Sequence, residues 1–111
     1  MGCRPFVAVR GGASEEAALE SLRSLADKYG LLSESVIDDG SDFDIAALSL
    51  QKWFPESLMR VLITVFEELC AQTDWHVVID WDDLDEEPDF PYKSLSRPSG
   101  AKEPVLLWPD D

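Results

Sequence analysis

Two stretches with helical spacing of apolar residues, each set between β-rich runs, constrain the fold of this chain most tightly. In the second, Leu58, Leu62, Val65, Phe66 and Leu69 recur every three or four residues, and Met59, Ile63 and Cys70 widen the stripe. A stripe that broad predicts a helix buried along much of its circumference. Pro55 stands at its expected first position, where a missing N–H costs nothing. In the first stretch, Ala18, Leu22, Leu25, Ala26 and Tyr29 mark one helix face. Ser14 is placed to cap that helix, Glu15 and Glu16 complement the positive end of its dipole, and Gly30 supplies the stop.

The intervening runs read as strands. Pro5 to Arg10 is β-rich and ends at Gly11-Gly12, a turn signal. Leu31 to Ile37 suits a second strand. Asp38-Asp39-Gly40-Ser41-Asp42 suits a hairpin turn, because Asp-Gly readily takes positive φ. Phe43 to Leu50 follows as a third strand, with Phe43, Ile45 and Ala47 on one face. Asp74 to Asp80 forms a fourth: Trp75, Val77, Ile79 and Trp81 share one side, His76, Val78 and Asp80 the other. The order β-α-β-β-α-β predicts an α+β fold of ferredoxin-like plan, an antiparallel sheet with two helices on one face.

At 111 residues the chain is expected to form a single domain, with a core over about residues 4–82. An acidic loop and a Pro-containing extension occupy 83–111 and are expected to be irregular. Val105-Leu106-Leu107-Trp108 is apolar enough to add an edge strand or to anchor the tail.

Charge narrows the function. Twenty-three acidic residues face nine Lys and Arg, for a formal net charge of −14. Small soluble domains usually carry a net charge of about 2 to 8 in magnitude. An excess this large repels itself, so it serves solubility or projects a field toward something basic. A salt-adapted proteome is the competing explanation.

Nucleic acid is a poor partner, because its affinity comes from Lys and Arg neutralising phosphates. Anionic membrane is a poor partner for the same reason, and no apolar run is long enough to span a bilayer. Arg4 and Arg10 bracket too short an apolar stretch for a secretory leader. Cys3 and Cys70 are too far apart to suggest a disulfide framework or a zinc site, which points to a reduced, cytoplasmic setting.

Catalytic signatures are missing from the sequence. The single histidine, His76, falls in a strand among apolar neighbours, and no Gly-x-Ser-x-Gly elbow, Walker loop or Gly-x-Gly-x-x-Gly is present. The carboxylates of 80–89 could offer oxygen to Ca²⁺ or Mg²⁺ or serve a small enzyme. An EF-hand register from Asp83 places Pro88 and Ser94 where Gly and Glu are required, and one from Asp80 places Asp85 and Pro91 there. The expectation is a chain with no catalytic residue, metal or cofactor.

A binding role fits the pattern better. One acidic group surrounds the expected hairpin: Glu34, Asp38, Asp39, Asp42 and Asp44. A second runs from Asp74 to Asp89 and includes Asp80, Asp82, Asp83, Asp85, Glu86 and Glu87, mingled with Trp81, Phe90 and Tyr92. Trp81 reads as core; Phe90 and Tyr92 read as interface anchors. Aromatic anchors supply binding energy while surrounding charge speeds and orients encounter.

The expected partner surface is therefore Asp38, Asp39, Asp42, Asp80, Asp82, Asp83, Asp85, Glu86, Glu87, Asp89, Phe90 and Tyr92, presented by a monomer to a positively charged protein. In physical class this resembles the small acidic inhibitors of bacteria and phages. Those are immunity proteins that neutralise basic, nuclease-like toxins, or nucleic-acid mimics of the anti-CRISPR kind that block host defence complexes.

Overall fold

The computed structural model describes residues 3–39, 44–50, 56–83 and 94–106. Strand β1 (Cys3–Gly11) leads into helix α1 (Glu15–Lys28), then β2 (Ser35–Asp38) and β3 (Ala46–Leu50). Helix α2 (Glu56–Gln72) and β4 (His76–Asp83) follow, and β5 (Leu95–Arg97) and β6 (Val105–Leu106) complete the order. The six strands form one sheet in the order β2-β3-β1-β4-β5-β6. All five strand pairings are antiparallel.

The chain is α+β, and the expected element order holds through β4. The sheet departs from the four-stranded ferredoxin-like plan by two further strands beyond β4. The extension after residue 83 is therefore not irregular throughout: Leu95–Arg97 pairs with Val77–Ile79, and Val105–Leu106 pairs with Leu95 and Ser96. The exposed side of β4 supplies the physical reason, since its backbone donors and acceptors need partners.

Helix α1 forms where its spacing places it. Ser14 has extended backbone, and its Oγ accepts from the N–H of Ala17, while Glu15 and Glu16 occupy the first turn. Gly30 has φ 73°, and the N–H of Leu31 returns to the carbonyl of Ala26 at 2.7 Å, which closes the helix. Leu32–Glu34 then makes a short 3-10 turn where a strand is expected. Ser35 Oγ donates to the Leu31 carbonyl at 2.7 Å, a local bond that competes with strand pairing.

Both helices lie against one face of the sheet. Leu22, Leu25 and Ala26 of α1 and Leu62, Val65, Phe66 and Leu69 of α2 enclose a core with Val7, Val9, Leu48, Leu50, Val77 and Ile79. Each buried Leu- or Phe-sized side chain contributes about 1.5 to 3 kcal/mol relative to exposure. In β3 the core-facing residues are Ala46, Leu48 and Leu50, while Ala47 joins Phe6, Ala8 and Val78 in a smaller cluster on the other face.

Two close contacts tie β5 and its turn to the rest. Arg97 is buried and extends its guanidinium to the end of α2. Gly12 has φ 85° beside Trp75 and Ser99, where a Cβ would come within 3.0 Å of Ser99 Oγ and 3.2 Å of Trp75 Cα. Among the described residues no helix is long and apolar enough to cross a membrane.

Candidate functional site

Sheet register locates the acidic residues. Asp38 stands opposite Ala47, Ala47 opposite Ala8, and Ala8 opposite Val78, so Asp38 shares a row with the middle of β4. Asp82 and Asp83 lie further along β4, opposite Arg4 and Cys3. Four residues along a strand is about 13 Å and three strand spacings about 14 Å, so Asp38 and Asp82 are about 20 Å apart. Asp38 and the Asp82–Asp83 pair therefore occupy different parts of the sheet.

Five of the twelve expected site residues fall among the described ones. Asp38 and Asp39 are exposed at the end of β2. Asp80 is 9% exposed and accepts a hydrogen bond from Ser94 Oγ, which gives it a structural task. Asp82 and Asp83 are in β4, and Asp42, Asp85, Glu86, Glu87, Asp89, Phe90 and Tyr92 lie outside the described residues.

Other carboxylates are also engaged within the fold. Asp44 accepts from Arg10 Nε at 2.8 Å, and Arg10 is the residue at which the β1–β4 register shifts. Asp74 Oδ1 accepts from the N–H of Gly100 at 2.8 Å and holds the turn after β5 against the start of β4. Glu68 accepts from Lys28 Nζ and joins the two helices. The Lys28 ammonium, and after it the Tyr29 hydroxyl, hold the Glu68 carboxyl below its ordinary range. Burial, the largest influence, pushes the Cys70 thiol up.

The helix-free face of β4 and β5 carries a polar line that the sequence reading did not assemble. His76 Nε2 lies 3.0 Å from Ser96 Oγ, and Ser94 binds Asp80. A serine, a histidine and an aspartate on one surface invite a catalytic reading. A triad requires the acid to hold the histidine, yet Asp80 is four residues from His76 along the same strand, about 13 Å. These residues brace neighbouring strands instead. The signal lay in the Ser-Leu-Ser alternation of 94–96, which places both hydroxyls on one side of a strand. Among the described residues, no group of three or more His, Cys, Asp or Glu is placed to hold a metal ion.

No family model, curated protein or solved structure matches this chain.

Proposed function

We propose that this chain is a small acidic inhibitor that binds a positively charged protein, most simply an immunity protein that neutralises a basic, nuclease-like toxin by covering its substrate-binding surface. The observation that carries this reading is an acid excess far beyond what the fold consumes. The chain has 23 acidic residues against nine Lys and Arg. Arg10 and Lys28 are already taken by Asp44 and Glu68, and Arg97 is committed to backbone carbonyls. Asp38, Asp39, Glu67 and Glu103 are exposed, and so are Glu15 and Glu16. A surface so poor in cations raises the encounter rate with a basic groove.

The segment 82–89 holds six carboxylates and no base, with Phe90 and Tyr92 following at once. In this reading its charge enters the basic site while the aromatic side chains anchor the contact.

The test is calorimetric titration of the purified chain with a panel of basic nuclease toxins, at low and moderate salt. Affinity should fall steeply with salt. The triple reversal Asp82→Lys, Asp83→Lys, Asp85→Lys should weaken binding at least tenfold. Affinity unmoved by both changes would overturn the proposal.

A further inference from the structure

Among the described residues the sheet ends on one side at β2, a four-residue strand paired with β3. A sheet edge presents a row of N–H and C=O groups ready to pair with another chain, and natural proteins commonly blunt it with lysine, proline or a bulge. Among the described residues no lysine, proline or bulge protects β2. Residues 31–39 contain no Lys, Arg or Pro, and the β2–β3 register runs unshifted from Ser35–Leu50 to Asp38–Ala47.

Two of the three exposed large apolar side chains among the described residues lie here, and the third, Val105, is in β6 at the other edge. Val36 in β2 is 41% exposed, and Leu32 just before it is 50% exposed. Ile37 packs into the core, so by alternation Val36 and Asp38 lie on the helix-free face. Asp38 and Asp39 are exposed at the end of the strand, and Glu34 precedes it.

We infer that the β2 edge takes up an extended basic segment of the partner by strand addition. Apolar residues of that segment meet Leu32 and Val36, and its cations meet Asp38 and Asp39. In such docking the main-chain bonds give affinity and alternate side chains give specificity. The inference rests on the acidic-inhibitor reading and supplies the chemistry of the partner's docking segment.

Charge selects this occupant over a second copy, because edge-to-edge pairing would bring together two chains that each carry −14. The opposite edge is a poorer acceptor: β6 has two residues and follows Lys102 closely.

The full chain would be followed by amide exchange and chemical shift in two titrations. One uses an acetylated and amidated peptide of four Lys-Val repeats; the other uses the same peptide methylated at every backbone nitrogen, which keeps the charge and abolishes pairing. The unmodified peptide should slow exchange at outward-facing amides of Val36–Asp38 at least tenfold, and the methylated one should not. Val36→Asn, a surface change, should weaken the unmodified peptide several-fold while the spectrum stays folded.

Equal binding of the two peptides, or no response in β2 at millimolar peptide, would overturn strand addition. Full protection of β2 in the free chain would overturn it too, by showing the edge covered by the chain itself. Protection that grows with protein concentration alone would assign the edge to a second copy, again overturning the inference. Should the peptides bind equally and the triple reversal at Asp82, Asp83 and Asp85 remove that binding, strand addition fails while the acidic-inhibitor reading stands.

Discussion

Arg97 Nη1 donates to the carbonyl of Cys70 at 2.7 Å, so strand β5 closes the C-terminal turn of helix α2. Its Nη2 donates to the carbonyls of Thr73 and Trp75, each at 2.8 Å. Helix ends leave carbonyls without intrahelical partners, and the dipole favours a cation there. Arg97→Met should therefore strand buried acceptors and cost about 3 kcal/mol or more, read from the urea midpoint. Arg97→Lys should recover only part of that loss, because an ammonium cannot reproduce the planar fork.

Gly12 and Gly30 both require left-handed backbone, with φ of 85° and 73°. They differ in their surroundings. A Cβ at Gly30 meets nothing within 4 Å, whereas at Gly12 it meets Ser99 Oγ and the Trp75 backbone. Gly30→Ala should cost about 1 kcal/mol from backbone strain alone. Gly12→Ala should cost distinctly more and should broaden the amide signals of Trp75 and Ser99, measurable by thermal melts and NMR.

The Lys28–Glu68 pair sets a pH dependence. Lys28, and then Tyr29, hold the Glu68 carboxyl below its ordinary 4.5. A depressed acid stabilises the fold above its unfolded pKa, and that contribution is lost as pH falls through the lowered folded value. Glu68 in turn raises the Lys28 ammonium above 10.5, so its contribution is full below that value and lost as pH rises through the raised one. Glu68→Gln should flatten both limbs of the stability–pH curve. The effect should shrink in high salt, since Lys28 is exposed.

Buried and exposed carboxylates should respond differently to removal. Asp80→Ala deletes the acceptor for Ser94 in a buried position and should cost about 1 to 3 kcal/mol. Asp38→Ala at the exposed end of β2 should stay within about 0.5 kcal/mol. Chemical denaturation of the two variants side by side checks the contrast.

The helices were legible because their information is local. Ala18, Leu22, Leu25 and Ala26 are buried as their spacing requires, and so are Leu62, Val65, Phe66 and Leu69. Strand faces were less so. Both parities of 43–50 are apolar, and only the side on which the helices land selects Ala46, Leu48 and Leu50 over Ala47. Strand β5 is three residues long, too short for a periodic signal, and its formation depends on β4, about twenty residues earlier in the chain. Of the expected binding surface, Asp38 and Asp39 are exposed. Asp80 is not, because its partner Ser94 stands just before β5, a neighbour that local sequence could not supply.

The central position of β1 has a kinetic consequence. Val7 pairs with Leu48 on one side and with Ile79 on the other, so the earliest described strand to be synthesised has one of its neighbours among the later ones. At a ribosomal pace of about 5 to 20 residues per second, β1 waits roughly 4 to 14 s before β4 has been made. Pairings across such long sequence separations are slow to close. Over that interval the half-built sheet shows the flank meant for β4, which makes nascent chains the form of this protein most prone to stick to one another.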